Sequence, residues 1–207
     1  TAHQIGTPLT SLVGWIELLE LQDTPFIGTN EMEKDIDRMK VITERFSKIG
    51  SQPKLEACEV LPVVQSAMDY MRARTSNKIE YRLNVEGLRL KAMLCAPLFE
   101  WVIENICKNA IDSMEGKGSI TIEVKTENGK GKTENLYIDI TDTGKGIDRR
   151  NFKRIFNPGY TSKKRGWGLG LSLGKRIIED YHRGKLFVKQ SQLGVGTTFR
   201  IVLCSVV

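Results

Sequence analysis

Leu136, Ile138 and Ile140 alternate with polar residues and run straight into Asp142-Thr143-Gly144-Lys145-Gly146-Ile147-Asp148. The alternation predicts a strand with one buried face. Two glycines flanking a single residue predict a sharp turn where that strand ends. The chain must therefore finish a core strand on a carboxylate and bend at once, which fixes a charged group at the edge of a hydrophobic layer. An ionised carboxylate accepts hydrogen bonds and cannot donate them, so a natural partner is a donor such as the exocyclic amine of adenine. Glycine lets the backbone approach a flat ring or a phosphate with no side chain between. On its own, the D-x-G-x-G turn fits an ordinary Asp-Gly loop equally well.

Two further stretches add to this one. Gly166-Trp167-Gly168-Leu169-Gly170-Leu171-Ser172 precedes a helical pattern of Leu171, Leu173, Ile177, Ile178 and Tyr181. A glycine-rich loop entering a helix start offers unpaired N–H groups and the positive end of the helix dipole, which suit phosphate. It is not the dinucleotide-binding glycine fingerprint, because no strand leads into it and the spacing differs. Upstream, Glu104-Asn105-Ile106-Cys107-Lys108-Asn109-Ala110 puts Asn105 and Asn109 four apart on one helix face. An amide oxygen there suits Mg²⁺, which prefers oxygen ligands and shares them with water and phosphate.

These segments resemble the histidine kinases of two-component signalling and, more broadly, the ATPases they share with DNA gyrase B, the heat-shock chaperones and the mismatch-repair proteins. The matching motifs are the N box (Asn105 to Asn109), the G1 box (Asp142 to Gly146), the F box (Phe152 to Phe156) and the G2 box (Gly166 to Gly170). A last glycine turn, Gly194 to Phe199, also matches. The resemblance implies an α+β fold: an N-terminal helical hairpin over residues 1–50, whose apolar faces dimerise into a four-helix bundle or else pack against the following domain, then a catalytic ATP-binding α/β sandwich over residues 51–207. It implies ATP and Mg²⁺ as cofactors. Asp142 would take the adenine amine, with Gly144 and Gly146 admitting the ring and the Thr197 hydroxyl nearby. Asn109 would ligate the metal, and Asn105, with Lys108, would meet the phosphates or the metal. Gly168 and Gly170 would turn main-chain N–H groups to the same phosphates. Residues 156–165 would form a lid, whose Lys163 and Arg165 either reach the triphosphate or are simply solvated. Trp167 is unusual inside the G2 box.

His3 heads His3-Gln4-Ile5-Gly6-Thr7-Pro8-Leu9, which is similar to the H-E-x-x-T-P-L pattern carrying the phosphoacceptor in that family. Imidazole suits the task, because with a pKa of about 6.5 it is mostly neutral and nucleophilic at pH 7. The resemblance implies a response-regulator aspartate as the next acceptor. Gln4 stands where the pattern has Glu. An amide can accept a hydrogen bond from the ring but carries no charge and takes no proton, so slow autophosphorylation is expected. Thr7, one turn from His3, is either a phosphatase residue that positions water or helix-start chemistry ahead of Pro8. The second histidine, His182, follows a helix end, where capping accounts for it.

Composition bounds the alternatives. With 40% hydrophobic and 27% charged residues the chain reads as globular rather than disordered. No apolar run reaches the ~18 residues of a membrane span, and no signal peptide is visible at Thr1. The expectation is a cytoplasmic fragment, joined to any membrane only through upstream segments. Four cysteines without a C-x-x-C pair predict reduced, buried thiols. The net charge of +6 gathers at Arg149-Arg150, Lys153-Arg154 and Lys163-Lys164-Arg165, between the two glycine motifs. That placement suits a triphosphate better than a duplex, so no nucleic-acid partner is expected. The competing readings are an ATP-hydrolysing switch, against which Asn105 in place of a water-activating Glu argues, and a dimeric scaffold or phosphatase that has lost catalysis.

Periodicity supplies the element order. It predicts helices over 1–22 and from about Thr29 to Gly50, a hinge at Gly50 to Pro53 and a helix from Val60 to Met71. A strand follows over Ile79 to Val85 and another over Leu88 to Met93. The N-box helix runs from Ala96 to Met114, then come strands at Ile120 to Val124, Leu136 to Ile140, Leu186 to Lys189 and Thr198 to Leu203. This order gives a mixed sheet covered by helices on one face.

Overall fold

The computed structural model describes residues 12, 16, 36, 53–87, 90–128, 134–161 and 168–206. The chain divides into two compact units, Thr1–Pro53 and Lys54–Val207. In the first, Leu12, Ile16 and Ile36 are helical, and Ile16 and Ile36 are buried together. The rest of the expected hairpin, with His3, Gln4 and Thr7, lies outside the described residues.

The second unit opens with β1 (Glu56–Glu59) and α1 (Val60–Arg72), followed by β2 (Ile79–Glu86) and β3 (Lys91–Leu94). The long α2 (Ala96–Ser113) leads to the hairpin of β4 (Gly118–Asn128) and β5 (Glu134–Asp142). Two short 3₁₀ turns, Arg149–Asn151 and Arg154–Phe156, precede α3 (Gly170–Arg176). A π-helical turn, Ile177–Tyr181, continues α3 and is followed by β6 (Lys185–Gln192) and β7 (Gly196–Cys204). Five strands form one sheet in the order β2-β4-β5-β7-β6. Only the β2–β4 pair is parallel, so the sheet is mixed, as the element order predicts.

One face of that sheet is apolar because the strands alternate. Ile120, Ile122, Val124, Leu136, Ile138, Ile140, Ile201 and Leu203 are all essentially inaccessible to solvent. Helix α1 adds Val60, Val64, Ala67 and Met68 to this layer, and α2 adds Leu98, Phe99, Val102, Ile103 and Ile106. Each such side chain contributes about 1.5–3 kcal/mol by leaving water. On α2 these residues recur at three- and four-residue spacing, which leaves the Asn105–Asn109 stripe on another side of the helix. Pro97 occupies the first turn, where its missing N–H costs nothing.

The periodicity did not foresee β1, and β3 does not join the main sheet. These two pair with each other as a small antiparallel ribbon, tied to the chain end by the Ala92–Ser205 bridge. The expectation of four buried thiols also needs correcting. All four cysteines are free, but only Cys107 is buried, and Cys204 at the end of β7 is exposed.

On the opposite sheet face Asp139 is only 1% exposed. Arg200 of β7 grips it through two nitrogens at 2.6 Å, and Lys189 of β6 at 2.7 Å. A bulge between Val188 and Gln190 interrupts the register at Lys189. Burial raises the Asp139 carboxyl, but the two cations outweigh it and hold the group below its ordinary range.

Candidate nucleotide-binding site

Asp142 is the last residue of β5, and the strand's alternation turns it to the helix side, 5% exposed. Its Oδ1 accepts the Gly144 N–H at 2.8 Å and the Ser113 hydroxyl at 3.3 Å. Burial pushes the Asp142 carboxyl above its ordinary pKa, while the Gly144, Ser113 and Thr197 donors oppose that rise. Thr197 stands directly opposite on β7. Its hydroxyl lies 2.9 Å from Ser191 Oγ, which in turn accepts the Ile147 N–H.

The glycines of the turn have structural reasons beyond admitting a ligand. A Cβ at 144 would overlap the Ser113 hydroxyl. At Gly146 the φ of +75° is left-handed, and a Cβ would overlap the Gln192 carbonyl. The turn is thus wedged between the end of α2 and the β6–β7 hairpin. It is held there by Lys145 N–H on Ser113 O at 3.2 Å and by Gly194 N–H on Lys145 O at 2.8 Å.

Helix α2 forms the opposite wall. Asn105, Lys108 and Asn109 all border a cavity of about 500 Å³, together with Asp142, Gly146, Gly168, Gly170 and Thr197. The structure therefore gathers at one cavity nearly all the described residues that the sequence assigned to a nucleotide. Gly144 stands just behind it, bonded to Asp142. Lys163 and Arg165 lie outside the described residues, as does Trp167. Gly159 and Gly168 are joined across that gap by an N–H···O bond of 3.1 Å.

The Asn105 side-chain NH₂ is buried with no hydrogen-bond partner, and its oxygen sits beside Gly170. A buried donor without an acceptor is costly to leave unmade, and an oxygen-rich ligand reaching this wall would offer one. That chemistry fits the phosphates of a nucleotide. Asn109 and Asp112 supply oxygen donors to the same cavity of the kind that suits Mg²⁺. Among the described residues there is no cluster of three or more His, Cys, Asp or Glu side chains that could hold a metal on its own. None of the described helices is long and apolar enough to cross a membrane.

The sequence reading missed Ser113 and Asp112 in this wall, and had Lys145, Ile155 and Tyr160 only as members of the G1 box, the F box and the lid. Ser113 had a signal, because it lies four residues after Asn109 and so continues the Asn105–Asn109 stripe. His182 lies outside the cavity and is 7% exposed. Its Nδ1 lies 2.8 Å from Ile177 O, and its Nε2 accepts the Cys95 N–H that precedes α2.

Comparison with known proteins gives matching results. Residues 96–206 match the family described as histidine kinase-, DNA gyrase B-, and HSP90-like ATPase. Sporulation kinase E of Bacillus subtilis (strain 168) is 29% identical over 208 residues, which cover 98% of this chain and 27% of that protein. Sensor histidine kinase ZraS of Salmonella typhi is 30% identical over 210 residues, covering 98% of this chain and 44% of the relative. The chain thus spans less than half the length of these relatives. Full-length ShkA in complex with AMPPNP superposes with a TM-score of 0.76 at 20% identity, over 100% of this chain and 45% of that one. At that identity the likeness speaks for the fold.

Proposed function

Because the chain belongs to the histidine kinase-, DNA gyrase B- and HSP90-like ATPase family, we propose that it is the phosphotransfer core of a sensor histidine kinase. In this reading it binds ATP with Mg²⁺, phosphorylates His3 and passes the phosphoryl group to a response-regulator aspartate. The observation that carries the reading is the cavity itself. The buried Asp142 carboxylate borders it from one wall and Asn105, Lys108 and Asn109 from the other, on motifs far apart in sequence.

Asp142 would accept the adenine amine, and Asn105, Lys108, Gly168 and Gly170 would receive the phosphates, with Lys163 and Arg165 added from the lid. Asn109 would hold Mg²⁺, which supplies charge neutralisation at the triphosphate. A ring nitrogen of His3 would form the N–P bond as the bond between the β–γ bridging oxygen and the γ-phosphorus breaks and ADP leaves. Residues 1–50 would supply the dimerising hairpin and residues 51–207 the ATP-binding domain. Thr7 would position water for dephosphorylation of the regulator. The sporulation kinase and the ZraS sensor among the relatives support a kinase. The AMPPNP held by ShkA supports ATP.

Incubating the chain with Mg·[γ-³²P]ATP should give label that is acid-labile, base-stable and absent from His3→Ala. ATP hydrolysis without labelled protein would instead identify a hydrolytic switch.

A further inference from the structure

We infer that Ser113 is the positioning residue of base recognition, orienting the Asp142 carboxylate so that one oxygen is spent on the protein and the other is left for an exocyclic amine. The inference rests on the reading of the cavity as an ATP site and adds to it what makes that site select adenine.

The argument begins with the hydroxyl proton. Ser113 Oγ lies 2.9 Å from Ala110 O and 3.3 Å from Asp142 Oδ1. Ala110 O already accepts the Met114 N–H at 3.0 Å. The carboxylate is the charged acceptor, and hydrogen bonds to charged groups are roughly twice as strong as neutral ones. Oδ1 also accepts the Gly144 N–H at 2.8 Å. With two donors on Oδ1, the carboxylate cannot rotate without losing both. Oδ2 takes neither of these two bonds and is the oxygen left for a ligand's N–H, with the Thr197 main-chain N–H as the further protein donor to the carboxylate.

Ser113 also fixes the turn behind the carboxylate. Its carbonyl accepts the Lys145 N–H, and its hydroxyl occupies the space a Cβ at 144 would need. The last turn of α2 therefore presets the base end of the site, while Asn105 and Asn109, at four-residue intervals on the same helix face, border the phosphate end. One rigid helix sets the distance between the two ends.

A base with a 6-oxo group in place of the 6-amine puts an acceptor against Oδ2 and is rejected. Losing the Ser113 hydroxyl leaves Oδ1 held by the Gly144 N–H alone and removes a donor that stabilises the carboxylate's charge. Burial already raises this carboxyl, so the loss raises it further, and affinity for an amine should then fail at a higher pH on acidification.

The test is calorimetric titration of the full chain and of Ser113→Ala with ADP and with inosine diphosphate, in Mg²⁺, from pH 5.5 to 8. The wild type should prefer ADP. Ser113→Ala should bind ADP roughly five- to tenfold more weakly, bind inosine diphosphate unchanged, and lose ADP at a higher pH than the wild type does. Ser113→Cys, which keeps the volume with a weaker donor, should fall between them. A wild type that fails to bind ADP, or binds both nucleotides alike, removes the ATP-site reading itself. A discriminating wild type with an unaltered ADP preference and pH profile in Ser113→Ala overturns the role of Ser113 alone. Equal weakening toward both nucleotides also overturns it, because that marks a structural loss.

Discussion

His182 ties the far end of the α3 run to the start of α2, and its removal should reveal a pH-dependent share of stability. Burial holds the imidazole below its ordinary pKa of about 6.5. The Cys95 N–H, 3.0 Å from Nε2, also occupies the lone pair that a second proton would need. The native ring is thus neutral, with its single proton on Nδ1 toward Ile177 O. Replacing it by Phe keeps a ring against Phe99, now edge-on at 6.0 Å between centroids, but leaves the Cys95 N–H unpaired. The Ile177 carbonyl suffers less, because it still accepts the His182 main-chain N–H at 3.1 Å. A buried donor left unmade costs about 1–3 kcal/mol, and the weakened carbonyl adds less, giving about 2–4 kcal/mol at pH 7.5. As pH falls below about 6.5 the unfolded chain takes up a proton that the folded chain refuses, until the depressed native pKa is reached. The wild type therefore loses stability across that window by up to about 1.4 kcal/mol per pH unit, and His182→Phe does not. Urea unfolding at pH 7.5, 6.5 and 5.5 measures both. A wild-type advantage that stays constant from pH 7.5 to 5.5 refutes the neutral, buried imidazole.

Four shorter predictions follow from other parts of the molecule. Asp139→Ala should cost about 2–4 kcal/mol in urea unfolding, since it leaves Arg200 with no carboxylate in a half-buried position; the figure is discounted because Lys189 is a third exposed. Gly146→Ala should lower thermal stability and abolish nucleotide binding in calorimetry, because both its φ and the Gln192 carbonyl exclude a side chain. In the native chain iodoacetamide should modify Cys204 quickly and spare Cys107, whose thiol burial pushes up to about 12, as mass spectrometry of the labelled peptides will show. Gln4→Glu should raise the initial rate of ³²P incorporation about tenfold, because a charged hydrogen bond to the ring replaces a neutral one.

The sandwich was legible where periodicity and burial coincide. Ile120 to Val124 and Leu136 to Ile140 alternate because helices cover one sheet face, and α2 shows its buried stripe because it lies on that face. Strand β1 was invisible because Glu56-Ala57-Cys58-Glu59 has no alternation; its pairing with β3 depends on a partner more than thirty residues away. The Asp139 cluster was equally hidden, since Lys189 and Arg200 reach it from two other strands, one at a bulge that shifts the register. Asn105 and Asn109 could be read because their spacing along one helix is itself the geometry, and Asp142 because it ends an alternating strand. Thr197 could be placed only through family resemblance, because it meets Asp142 across a strand pair that local sequence does not encode.

His182 and Ser113, whose partners local reading could not supply, share a purpose, which is to hold α2 at both ends. At its start, His182 accepts the Cys95 N–H; at its finish, Ser113 receives the Lys145 N–H and donates to Asp142. Both contacts connect α2 to segments carrying the other two glycine motifs, α3 with its π turn on one side and the β5 turn on the other. A helix free at either end could slide or tilt against the sheet, and a change of an ångström at Asn105 or Asn109 would move that wall of the cavity relative to the Asp142 carboxylate. Weakening either end should therefore reduce nucleotide affinity as well as stability, even in His182→Phe, whose altered ring lies outside the cavity. That joint loss separates a helix held in register for its ligand from one that is merely packed.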